Sequence, residues 1–123
     1  MISGLDHIQV AAPPGCEVRA RKFYGHLLGL KEVAKPAALA SRGGVWFALG
    51  GSELHIGVER DFHAARKAHP ALAASSAEAL QQLAARLESS GHSVLWDTDL
   101  PSIKRFFTHD PFGNRIEFVA REP

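Results

Sequence analysis

The sequence predicts an α+β fold: two βαβββ modules in tandem, forming a cup-shaped mixed sheet. Three observations lead there. His7 and His55 are 48 residues apart, as are His69 and Glu117, and the second pair is the first shifted by 62. The shift also lays Gly29 over Gly91 and Gly51 over Gly113, glycines at places where a turn is wanted. Each half runs through the same order of period-two and helical-period segments. One domain over residues 1–123 is expected, with repeats at 5–60 and 67–121.

In the first half, Leu5 to Ala12 alternates and is stopped by Pro13-Pro14-Gly15, which predicts a strand. Val18, Ala20, Phe23, Tyr24, Leu27 and Leu28 then form a helical stripe ended by Gly29. Leu30 to Val33 reads as a short strand, and 35–44 as a loop. Val45 to Leu49 and Glu53 to Val58 flank Gly50-Gly51-Ser52, a hairpin signal. Arg60 to Lys67 joins the halves, with room for one helical turn.

The second half repeats the order. His69 to Ala74 is the strand, and Ser75 with Glu78 is a capping box opening a helix. Leu80, Leu83, Ala84 and Leu87 are the helix's apolar stripe, and Gly91 ends it. Val94 to Trp96 is a strand. Ile103 to His109 and Arg115 to Ala120 flank the turn Asp110-Pro111-Phe112-Gly113-Asn114.

Alternation predicts where the four paired residues point. His7, Gln9 and Ala11 share one strand face, opposite Ile8, Val10 and Ala12. His55 lies opposite Leu54 and Ile56, and Glu117 opposite Ile116 and Phe118. With the apolar faces against the helices, His7, His55, His69 and Glu117 should line the concave face. Three imidazoles and a carboxylate suit a divalent transition metal ion (Zn, Ni, Fe or Mn) better than Ca or Mg. Two His and Glu117 would also serve as a facial triad, with Glu117 as ligand and catalytic base. His26, His63 and His92 read as surface residues, as does His109, whose place at a strand end also suits a partner to a ligand. Trp46 and Phe107 suit pocket walls and Phe47 suits the core, while Arg42 and Arg105 suit an anionic substrate.

Composition narrows the classes. A net charge of +1 argues against nucleic-acid or membrane partners. One cysteine, Cys16, excludes an intrachain disulfide and suits a reducing compartment. With no signal peptide or apolar span in view, a cytoplasmic location is expected. Cys16 lies near a helix start, a place that lowers some thiol pKa values, although a lone cysteine there is usually inert.

Leu5-Asp6-His7-Ile8, Phe23-Tyr24-Gly25-His26-Leu27-Leu28-Gly29-Leu30, Glu53-Leu54-His55-Ile56, His69 and Asp110-Pro111-Phe112-Gly113-Asn114-Arg115-Ile116-Glu117 together resemble the vicinal oxygen chelate superfamily. This is also called the glyoxalase, bleomycin-resistance and dioxygenase superfamily. The resemblance covers nearly the whole chain. It implies paired βαβββ modules, a homodimer, and metal ligands at His7, His55, His69 and Glu117. It implies a small-molecule substrate with vicinal oxygens and lyase, isomerase or dioxygenase chemistry. The alternative it implies is a non-catalytic drug-binding or resistance protein using the same cup. Two positions depart from particular branches. His55 stands where glyoxalase I usually has a carboxylate, and Phe107 where extradiol dioxygenases usually have a tyrosine.

Overall fold

The structure is a computed structural model and describes residues 1–121. The chain divides into two compact units, Met1–Ala64 and Ala65–Pro123. Each holds a four-stranded mixed sheet, with strand order β1-β4-β3-β2 in the first and β5-β8-β7-β6 in the second. The two sheets in tandem, with few helices, are the predicted α+β class.

In unit 1, β1 (His7–Ala12) runs parallel to β4 (Ser52–Val58). The antiparallel neighbours β3 (Val45–Leu49) and β2 (Glu32–Val33) complete the sheet. Leu5 lies outside β1 and is exposed. The helix between β1 and β2 departs from the expected α-helix. One turn, α1 (Glu17–Ala20), continues as a π-helix over Arg21–Leu27, in which each bond spans one residue more. Leu28 N–H accordingly donates to Phe23 O at 2.9 Å. Phe23 and Tyr24 are both buried, and Gly25 brings the helix against Phe47, whose ring would lie 3.4 Å from a Cβ there. Phe47 is fully buried, as its core assignment required. Val18 does not join the stripe. Cys16, Ala20 and Tyr24 define the buried face at steps of four, and Val18 points away from it, 68% exposed.

The segment expected as a loop contains a 3-10 helix, Ala37–Arg42, between Pro36 and Gly43. The region joining the units holds a turn and a bend but no helical turn.

In unit 2, β5 is only Ala71–Ala73, so His69 and Pro70 precede the strand instead of opening it. Proline has no N–H for a ladder, and Pro70 instead accepts from Glu117 N–H at 3.0 Å through its carbonyl. The parallel partner is β8 (Arg115–Arg121), followed across the sheet by β7 (Ile103–His109) and β6 (Leu95–Asp97). Helix α2 (Ala77–Ser89) is capped by Ser76, not Ser75: the Ser76 hydroxyl accepts from Ala79 N–H at 3.0 Å. Two serines in succession offered the same signal, and the backbone is still extended at the later one, Ser76, so the helix starts only after it. Gly91 ends α2 at φ +86° and Gly29 ends the first helix at φ +77°. At the hairpins the match slips: Gly113 has positive φ, but in unit 1 Gly50 has it and Gly51 does not.

Candidate functional site

Strand register extends the repeat from sequence to geometry. Gln9 stands beside His55 across the β1–β4 pair, and Ala71 beside Glu117 across β5–β8. On the other side His55 faces Trp46, and Glu117 faces Phe107. Trp46 lies 9 residues before His55 and Phe107 lies 10 before Glu117, so the span between the paired positions is one residue longer in the second hairpin. A gapless shift of 62 therefore misses the equivalence of the two aromatic residues.

In unit 1 the three rings stack. Trp46 and His55 are parallel within 1° at 3.7 Å between centroids, and His7 lies on His55 at 4.4 Å and 21°. The stack leaves His55 only 5% exposed, although it was expected to line an accessible face. His55 Nε2 lies 2.9 Å from Glu53 Oε1, and His7 Nδ1 lies 2.8 Å from Asp6 Oδ2. Each carboxylate favours the proton on the nitrogen it touches, leaving a lone pair on His55 Nδ1 and His7 Nε2.

In unit 2 His69 Nε2 lies 3.1 Å from Glu117 Oε1, and its Nδ1 lies 2.9 Å from the Lys67 carbonyl. A carbonyl only accepts, so Nδ1 carries the proton. In neutral His69 the bare Nε2 lone pair then faces the carboxylate. Phe107 packs edge-on against His69 at 5.4 Å, and Arg115 lies over the Phe107 ring at 4.1 Å. Arg105 reaches Asp97 at 2.6 Å and Glu117 at 3.6 Å. The backbone N–H of Asp99, and then Arg105, hold the Asp97 carboxyl below its ordinary range. The same pairing with Asp97 raises the Arg105 guanidinium.

The structure thus places the four predicted residues as two pairs, one in each unit. Among the described residues no group of three or more potential ligands is gathered around one point. The pairs fit a metal differently. Ligand atoms at about 2.0–2.2 Å from one ion, at right angles to each other, lie about 3 Å apart, and His69 with Glu117 already has that spacing. Imidazole and carboxylate, with the second ring nitrogen tied to a carbonyl, are a suitable donor set. The near-parallel rings of His7 and His55 do not aim their in-plane lone pairs at one point, so one ring must turn before both can ligate one ion.

Several supporting residues escaped the sequence reading. Glu53, two residues before His55, could have been found from alternation on β4. Asp6 sits next to a singled-out histidine. The Lys67 carbonyl leaves no residue-type signal at all. Neither His109 nor Cys16 joins a site: His109 is exposed, and its carbonyl oxygen lies 3.3 Å from His92 Nδ1. Cys16 is fully buried, and burial followed by the Glu17 charge pushes its thiol up, not down.

Comparison with known proteins adds the family. No curated protein sequence matches the chain. A glyoxalase family protein from Bacillus anthracis is 46% identical, with a TM-score of 0.93 over 99% of this chain and 98% of that one. Two further structures, at 20% and 17% identity, share the fold. Lactoylglutathione lyase from Agrobacterium tumefaciens has a TM-score of 0.75 over 97% of this chain and 94% of its own. A variant of the fosfomycin resistance protein FosX from Listeria monocytogenes, complexed with Mn(II) and 1S,2S-dihydroxypropylphosphonic acid, has a TM-score of 0.81 over 99% of this chain and 95% of its own. No helix among the described residues is long and apolar enough to cross a membrane. The family model for the Glyoxalase/Bleomycin resistance protein/Dioxygenase superfamily matches residues 4–118, and the chain belongs to that superfamily.

Proposed function

We propose that the protein is a metal-dependent enzyme acting on a small substrate with vicinal oxygens. His7, His55, His69 and Glu117 are its metal ligands, and Glu117 is also its base. The observation that supports this most is the His69–Glu117 pair, in which two acceptors face each other at 3.1 Å. A proton or a cation between them removes the repulsion. The ligands of the FosX complex, a manganese ion and a dihydroxy compound, support the same class of site.

A bound divalent ion supplies Lewis-acid polarisation of a substrate oxygen. The chain's own residues do the rest. Lys67, through its carbonyl, fixes the His69 tautomer, so that Nε2 faces the site. Phe107 limits the turning of the His69 ring. Glu117, only 7% exposed, is shielded from bulk water and sits where it can take a proton from an adjacent carbon or oxygen acid. Arg105, drawn towards Asp97, leaves Glu117 a partner at 3.6 Å that does not displace His69. The working form is proposed to be a cytoplasmic homodimer, to be checked by sedimentation.

Metal analysis of protein purified without chelators tests this reading. Near-stoichiometric Zn, Ni, Fe or Mn is expected, falling at least tenfold in His69→Ala. Less than a tenth of an equivalent, with no uptake from added metal salts, overturns it. The stacked His7 and His55 rings favour a second reading, a non-catalytic binder of small molecules. Equal ligand affinity with and without metal, and no turnover, would select it.

A further inference from the structure

Unit 1 contains a cavity of about 240 Å³ that the metal reading does not use. Its walls include Gln9, Lys35, Arg42, Gly43, Trp46 and Gly57, and no acidic side chain. Gln9 and Trp46 are the two register neighbours of His55, so the cavity opens beside the ring stack. Lys35 precedes the 3-10 helix and Arg42 is its last residue, and both line the cavity together with Gly57 of β4. Lys35 Nζ donates one hydrogen to the Gly43 carbonyl and keeps two more. Arg42 has no hydrogen-bond or ion-pair partner among the described residues. Glu17 is close by but not among the walls: its carboxylate is held by Gly44 N–H, which donates to it at 2.7 Å, and it would lie 3.1 Å from a Cβ at Gly43. At Gly57 a Cβ would lie 2.8 Å from Gln9 Cδ, so the missing side chain is what gives the Gln9 amide its place.

We propose that this cavity binds the anionic group of a small organic molecule (a carboxylate, phosphonate or phosphate) whose apolar part rests on Trp46. Two cations, an amide and an aromatic wall form a concave, acid-free surface. An anion regains there the hydrogen bonds it loses on leaving water. A cationic ligand would meet two like charges and no acidic wall residue. Drug-sized ligands occupy about 300–1,000 Å³, so this one is smaller.

Calorimetric titration in buffer containing a chelator tests the cavity independently of the metal. The probes are benzoate, phenylphosphonate and neutral benzamide. Both anions bind, and benzamide binds at least tenfold more weakly. Arg42→Gln weakens the anions at least tenfold and leaves benzamide unchanged, and Lys35→Gln does the same to a smaller degree. Gly57→Ala, which drives Gln9 from its place, weakens all three. Lys104→Gln, in the other unit, changes nothing. Equal affinity for anions and benzamide overturns the proposal, as does no binding of any probe. So does an unaltered affinity in a folded Arg42→Gln protein. A failed metal reading would show in the metal analysis and leave these titrations untouched.

Discussion

His69 and Glu117 meet at 3.1 Å with the wrong polarity for a hydrogen bond between neutral imidazole and carboxylate, because the Lys67 carbonyl has claimed the ring's only proton. Arg105, at 3.6 Å from Glu117, offsets part of the carboxylate's charge, but the contact with Nε2 itself gains only when a cation or a second proton arrives. Burial raises the cost, since an uncompensated polar contact away from water costs about 1–3 kcal/mol.

Glu117→Gln separates the two consequences. An amide is nearly the same shape and its N–H can donate to His69 Nε2, so the metal-free variant should be at least as stable as the metal-free parent. Its metal affinity should nevertheless fall at least tenfold. Thermal unfolding with and without chelator checks both. The parent should lose several degrees on metal removal, since a ligand held by the native state alone stabilises it. The variant should not respond.

Glu17 links helix α1 to the loop before β3, and this link should fail in acid. Its carboxyl is held below the ordinary range, first by the Gly44 backbone N–H. A carboxylate with a depressed folded pKa stabilises the fold above its unfolded value, near 4.5. That contribution is lost as pH falls through the folded value. Glu17→Gln should therefore lower stability by about 1 kcal/mol at pH 7 and by progressively less below pH 4.5. Urea unfolding at several pH values measures the convergence. A constant difference across the range would refute it.

Two glycines of positive φ should respond differently to alanine. At Gly44, φ is +85° and a Cβ would lie 2.1 Å from the Ile56 carbonyl oxygen, which is fixed in β4. Gly44→Ala must both strain the backbone and open the strand contact, a loss of more than about 3 kcal/mol. At Gly50, φ is +57° and no atom lies within 4 Å of a Cβ, so only the conformational cost remains. That is about 1–2 kcal/mol. The order of the two melting temperatures tests the argument without relying on either magnitude.

What was legible in the sequence follows from which forces are local. Strands β3 and β7 were read to the residue because period-two patterning and the flanking turns agree there. The π-helical stretch was not, since its apolar spacing satisfies an α-helical stripe equally well. Within that stretch Tyr24 and Gly25 pack against Phe47, a contact made across the fold that local spacing does not report. Among the candidate site residues, the His7/His55 and His69/Glu117 pairings were visible as a spacing. The stack on Trp46 and the Lys67 carbonyl were not. Stacking depends on strand register, and a backbone carbonyl looks alike in every residue.

Cys16 offers a last test, because its burial and its raised pKa act in the same direction. The thiol is 0% exposed, and burial, then the adjacent Glu17 charge, pushes it above 9.0. The thiolate is the reactive form, so the native protein should hardly react with a disulfide reagent at pH 8. Reaction must wait for opening of the segment between Gly15 and Ala20, where Ala20 N–H donates to Cys16 O at 2.9 Å. In rising urea the labelling rate should follow the unfolded fraction seen by circular dichroism. Glu17→Gln should speed it, by removing the neighbouring charge and freeing the loop at Gly44. Labelling of native protein at the rate of a free thiol would show that Cys16 is not packed beneath α1.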